Sequence, residues 1–342
     1  MRFWSFVYSR KTLFVGAAAL VLLSLAALAQ QAIKISVNEV IVPVTVTDEK
    51  NRFVSNLEAR DFKIYDQGKE QRIEFFSRDH NQPVVVGFLL DLSSASRLHW
   101  KTFQEASMEL VWALLPGDPK YTGYLITYST DAEVAVNTTR DADKITERIR
   151  KLKPGGGAAL YDAIYMACTT RELVKGEPYE PRRVIIVIGD GHDNASKKSL
   201  PEVVELAQRN LVTIYGMSTV AYGFSSEGES ALQQLAEATG GSVEYPLQGL
   251  YKDVSGYLST PSDEGNYALK VGTGGYASQI AQGIIRAVGH IYGDVTTQYI
   301  LRYVPDIGPG TDGKQFRSIK VAVDLPNIRI RHRKGYYPFA PQ

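Results

Sequence analysis

Three short loops concentrate the oxygen atoms that could hold a metal ion or a polar ligand. Asp91-Leu-Ser93-Ser94-Ala95-Ser96 follows an apolar run, and Asp190-Gly-His192-Asp193-Asn194 follows another. Between them, Gly155-Gly-Gly-Ala158-Ala-Leu-Tyr-Asp162 opens a helical pattern. Hydroxyl and carboxylate oxygens are hard ligands, suited to a cation such as Mg²⁺. Ser93 or Ser94 with His192 and a neighbouring Asp would be the material for a nucleophile–base arrangement. No Gly-x-Ser-x-Gly elbow is present, however, and His192 lies among acidic loop residues, so the sequence reads as non-enzymatic. His80, His99, His290 and His332 are scattered, with no two at ligand spacing. Cys168 falls on one helical stripe with Leu160, Ile164 and Ala167, which predicts a packed thiol. As the single cysteine, it also excludes an intramolecular disulfide and a cysteine-built zinc site.

These loops need strands and helices to bring them together. From Pro83 the sequence alternates buried-type apolar runs with helical periodicity. Strands are expected at 84–90, 121–128, 133–137 (an edge strand), 184–188, 212–217 and 242–245. Helices are expected at about 100–114, 141–152, 160–174, 200–210 and 229–239. Ser199 with Glu202 and Ser226 with Glu229 form capping boxes, and Gly240-Gly241 stops the last helix. Alternating strands and helices imply a doubly wound, mostly parallel α/β sheet, whose ligands bind beyond the carboxyl ends of the strands where strand order reverses. Asp162 then has two readings, a hydrogen-bond acceptor behind the site or a first-turn helix carboxylate.

Outside this region the pattern is β. Val40, Val42, Val44 and Val46 alternate with polar residues, and strands follow at 62–65 and 73–76. The C-terminal stretch adds strands at 298–304, 317–323 and 328–332. Three or so strands cannot bury their faces alone, so 30–82 and 297–342 are expected to pack together as a β-rich domain flanking 83–296. Arg329, Arg331 and Arg333 alternate along the last strand, which reads as a solvated face rather than an anion-binding patch. Residues 246–277, with Tyr251, Tyr257, Tyr267 and Tyr276, interrupt the rhythm. They are either a partner-contacting flap or a plain surface loop, before a helix at 278–291.

The chain has 342 residues with 38 basic and 37 acidic side chains, a balance that argues against nucleic-acid binding. Arg2, Arg10 and Lys11 precede an uncharged run from Thr12 to Leu28, and Ala27-Leu28-Ala29 has the small-x-small form of a cleavage site. An uncleaved anchor is the other reading, because the run approaches the roughly 17 residues needed to span a bilayer. A signal peptide over 1–29 is favoured, with no membrane span after cleavage. Either reading exports the chain to the periplasm, the cell surface or the medium.

At the three loops the sequence resembles the von Willebrand factor A domain, and more closely the exported bacterial form with flanking β segments found in acidobacteria. Asp91 and Ser93 match the family's Asp-x-Ser-x-Ser, and Asp190 matches the Asp after its fourth strand. The Gly-Gly-Gly-Ala-Ala-Leu-Tyr-Asp stretch resembles its second loop. The resemblance covers 83 to 245, and more loosely the β segments to the closing Arg-Lys-Gly-Tyr at 333–336. It implies a metal-ion-dependent adhesion site at Asp91, Ser93 and Asp190, with the carboxylates acting through water and a partner protein's carboxylate completing the coordination. Ala95 and Ala158 stand where the family has hydroxyls, so the site is expected to be degenerate and to hold Mg²⁺ or another divalent cation weakly or not at all. Ser94 and Ser96, each one residue out of register, are not expected to compensate. The function so implied is adhesion-type binding of an unidentified protein. The alternative is a metal-independent scaffold in an envelope or secretion assembly.

Overall fold

The computed structural model describes residues 39–78, 83–97, 99–173, 181–220, 227–247, 273–307 and 313–338. Residues 1–29, expected to be a signal peptide, lie outside the described residues, as do His80, Ser226 and residues 248–272 of the 246–277 stretch. The central sheet contains strands β5 (Val84–Asp91), β6 (Tyr121–Tyr128), β7 (Ala132–Thr139), β8 (Arg182–Gly189), β9 (Val212–Ser218) and β10 (Val243–Glu244). Their spatial order is β10-β9-β8-β5-β6-β7. All neighbours are parallel except β7, which runs antiparallel to β6 at the edge. The chain leaves β5 toward β6 and later returns on its other side as β8, so the order reverses at β5. Every residue of β5 is buried, as its unbroken apolar sequence requires of a strand covered on both faces.

Helices cover the two faces. On one, α1 (Trp100–Leu114), α2 (Ala142–Arg150) and α6 (Thr273–Thr296) bury Phe103, Leu110, Ile145, Ile149 and Ile291 against Val84, Val86, Phe88 and Leu90. On the other, α3 (Leu160–Thr169), α4 (Leu200–Arg209) and α5 (Glu227–Thr239) pack Ile164, Val203, Leu232 and Leu235 against Val85 and Leu89. Alternate residues of β5 thus feed opposite cores, the period-two geometry of a strand. Cys168 is buried in the second core, where burial pushes its thiol up to about 12. The Ser199–Glu202 capping box forms at α4, with Ser199 N–H donating to Glu202 Oε2 at 2.8 Å. Gly240, at φ +86°, ends α5. Its missing Cβ admits the Arg333 backbone N, which would otherwise lie 2.5 Å from that Cβ.

The flanking segments form two antiparallel sheets that mix both ends of the chain. One has the order β13-β1-β11-β4, from Ile328–His332, Val40–Asp48, Tyr299–Tyr303 and Phe75–Ser77. The other has the order β14-β12-β2-β3, from Gly335–Tyr336, Arg317–Val323, Phe62–Asp66 and Lys69–Gln71. The alternating valines of β1 enter one core with Phe62, Ile64, Leu301, Tyr303 and Val321. The fold is therefore a mostly parallel α/β sheet with antiparallel sheets supplied jointly by the N- and C-terminal segments.

The arginine face of β13 departs from expectation. Arg331 donates to both carboxylate oxygens of Asp294, which is 1% exposed. Arg333 is 3% exposed and donates to Gln208 O at 3.2 Å. Only Arg329 keeps an exposed position. Period-two alternation identifies a common face but not what covers it, and here the end of the α/β unit does. Gln298 reinforces the junction by donating to Thr45 Oγ1 and Tyr215 Oη, while Arg182 donates to Val295 O. Two expected boundaries also move: α6 extends well beyond 278–291, and α3 stops at Thr169 before a 3₁₀ turn over Arg171–Leu173. Among the described residues no helix is long and apolar enough to cross a membrane.

Candidate metal and partner site at the strand ends

Asp91 is the last residue of β5 and is 2% exposed. One carboxylate oxygen accepts the Ser93 N–H at 2.7 Å, a two-residue turn that folds the loop back over the strand end. The other oxygen, Asp91 Oδ2, is buried without a hydrogen-bond partner, as are Ser93 Oγ and Ser96 Oγ. Burial raises the Asp91 carboxyl above its ordinary range; Asp190's charge adds to this, and the Ser93 N–H opposes it. Ser93 and Ser96 hydroxyls lie near enough to favour the ionised carboxylate, although neither meets hydrogen-bond geometry with it.

The 3₁₀ turn Ser94–Arg97 explains why Ser96 is on this side. Its tighter winding turns Ser96 inward, 8% exposed, and leaves Ala95 and Ser94 in solvent. Ser96 is therefore turned inward although it is one residue out of register, and a hydroxyl added at 95 would face water. Ser94 ties the first loop to the second: its Oγ accepts the Gly156 N–H and its own N–H donates to Gly156 O.

The second loop is held by its neighbours. Gly157 N–H donates to Thr130 Oγ1, in the β6–β7 turn, and Ala159 N–H to Ser129 O. Ala158 is 2% exposed, its N–H donating to Asn194 Oδ1 at 2.8 Å and its carbonyl accepting the Asn194 N–H. Ala159, at the N-cap of α3, has no side-chain acceptor to offer the helix. The third loop supplies it: Asp193 Oδ2 accepts the Tyr161 N–H and Ser196 Oγ the Asp162 N–H. Asp162 reciprocates by accepting the Lys197 and Lys198 N–H groups. Its role is to anchor the third loop. Sequence reasoning missed Thr130 and gave Asp193 and Asn194, though in the third loop, no role, because ordinary polar loop residues carry no periodic signal; an acceptor missing from the N-cap of α3 was the available hint.

Asp190 follows β8, with one oxygen accepting the His192 N–H at 2.9 Å and the other 3.4 Å from His192 Nδ1. His192 has no hydrogen bond to Ser93 or Ser94 among the described residues, so no nucleophile–base pair is formed there. Gly189 lets β8 close on β5; a Cβ there would lie 2.4 Å from Tyr128 Oη and 2.8 Å from Asp91 Cβ. The Tyr128 hydroxyl is buried without a partner, and burial first, then Asp91, Asp190 and Asp193, raises it well above its usual value.

Among the described residues no cluster of three or more His, Cys, Asp or Glu could hold a metal. The donor set is instead mixed, carboxylate plus hydroxyl. Buried polar atoms without partners are costly in a native core, on the order of 1–3 kcal/mol each. Three such oxygens gathered at one strand end fit a hard divalent cation by chemistry and by need.

Residues 86–247 match the family model of the von Willebrand factor type A domain. No curated protein sequence matches the chain. Among solved structures, BatB from Bacteroides thetaiotaomicron is 18% identical, with 58% of this chain and 99% of that chain covered at a TM-score of 0.39. An aerotolerance-related membrane protein from Bacteroides fragilis is 15% identical, covering 60% and 98% at 0.39. Proximal thread matrix protein 1 from the mussel byssus is 19% identical, covering 49% and 43% at 0.40. Residues 86–247, with their mostly parallel sheet and strand-end loops, form a von Willebrand factor type A-like domain.

Proposed function

We propose that the chain is an exported binding module that captures a partner protein on the carboxyl-end face of its central sheet. Asp91, Ser93 and Asp190 hold a divalent cation weakly there, with Ser96 adding the oxygen that position 95 lacks. The observation that carries this reading is the set of buried, unpartnered oxygens Asp91 Oδ2, Ser93 Oγ and Ser96 Oγ at the point where strand order reverses. When bound, the ion supplies a Lewis-acidic position that a partner's carboxylate can fill. The loops keep these oxygens in place through Ser94, Asn194 and Asp162, so little ordering is required on binding. Export rests on the basic flank, the apolar run to Leu28 and the small residues at Ala27 and Ala29.

Calorimetry with Mg²⁺ and Mn²⁺ tests the site, and crosslinking in the native host with and without chelator tests the capture. The expected result is a weak dissociation constant, on the order of millimolar, and a crosslinked partner lost in chelator. Absence of metal binding together with unchanged capture in chelator would assign the domain instead to a metal-independent scaffold.

A further inference from the structure

We propose that the groove between α1 and α6 is a docking site for an amphipathic helix with basic flanks, contributed by a partner protein. The groove has a volume of about 780 Å³. Its lining is largely small or apolar, with Ala106, Ala113, Ala281 and Gly289 alongside Ile284 and Val288. A Cβ built on Gly289 would meet nothing within 4 Å, so the space beside it is open. Ile285 on the same helix is 70% exposed and Tyr292 is 43% exposed, apolar surface that a soluble domain ordinarily covers. A lining that mixes small and larger apolar side chains suits the face of a helix carrying anchors at i, i+3, i+4 and i+7.

Charge selects the occupant. Glu105 and Glu109 lie one turn apart on α1, both exposed, both lining the groove, and neither in an ion pair among the described residues. Two such carboxylates attract lysines or arginines flanking an apolar helix face. A second copy of this chain docked two-fold would bring the same acidic rim against itself, which disfavours it. None of the groove residues belongs to the strand-end loops, so this surface is independent of the metal reading.

The probe is a fluorescent leucine–lysine peptide with helical spacing, read by anisotropy on the full chain in chelator, against a leucine–glutamate peptide of the same pattern. Saturable binding of the lysine peptide alone is expected. Gly289→Leu fills the trough, and the Glu105→Lys, Glu109→Lys double variant reverses the rim. Each should weaken binding by about tenfold or more while thermal melts do not fall below those of the parent. Equal binding of both peptides, no binding of the lysine peptide, or full affinity in both variants would overturn the proposal. So would self-association that Gly289→Leu relieves, which would assign the groove to a second copy.

Discussion

Ala95 and Ser96 are neighbours in sequence and opposites in environment, one in solvent and one 8% exposed beside Asp91. That contrast makes a residue-level prediction. Ser96→Ala should weaken Mn²⁺ binding several-fold by removing a buried oxygen, whereas Ala95→Ser should leave it unchanged because its hydroxyl would meet water. Titration calorimetry on the two variants side by side settles it. Stronger binding by Ala95→Ser would show that the 3₁₀ turn rearranges around the ion. Ala158 is a different case: buried, with both backbone groups committed to Asn194, so an added hydroxyl there must displace packed neighbours.

At the scale of elements, β13 and α6 meet through a charge pair whose pH behaviour is specific. Burial raises the Asp294 carboxyl, and the Arg331 guanidinium opposes that rise. A carboxyl with a folded pKa above its unfolded one favours the fold below the unfolded value, and that contribution is lost as pH rises through the folded value. Arg331 offsets the loss at neutral pH. Arg331→Met should therefore cost roughly 3 kcal/mol near pH 7.5, from the buried unpaired carboxylate. The cost should shrink toward pH 4, where Asp294 takes up a proton. Urea melts at the two pH values measure this, and an equal loss at both would mean that Arg331 contributes packing alone. The glycines make a second, two-sided prediction at this scale. Gly240→Ala combines a positive φ with a Cβ 2.5 Å from Arg333 N and should destabilise by about 2 kcal/mol or more. Gly289→Ala, inside α6 with open space before it, should stabilise by about 0.5–1 kcal/mol.

For the whole molecule, the pairing of chain ends makes the β sheets interdependent. Strand β1 lies between β11 and β13, with Val42 opposite Leu301 and Val44 opposite His332. Removing everything after Thr296 strips β1 of both neighbours and β2 of β12. Hydrogen exchange on such a truncation should show Val40–Asp48 unprotected while β5 and β8 remain protected. Persistent protection of β1 would show that the N-terminal segment folds by itself, which would divide the flanking sheets into separate units.

The sequence by itself determined the class of fold, because its two periodicities are local properties of the chain. The continuous apolar runs at 84–90 and 184–188, too short for buried helices, read as strands covered on both faces. The alternating valines of β1 require one covered face, whatever covers it. The ends of those runs also placed Asp91, Ser93 and Asp190 at or just beyond strand ends. Tertiary structure decided what those local patterns cannot encode. Ser96 faces Asp91 because a 3₁₀ turn, rather than an extended loop, follows Ser93. Asp162 anchors the third loop because two distant segments meet at the start of α3. Arg331 is paired with a buried carboxylate and Arg333 is enclosed because β13 meets the end of the α/β unit, and alternation specifies a face without specifying its neighbour. The last two outcomes depend on contacts between residues far apart in the chain, and such contacts leave no mark in the spacing of either partner alone.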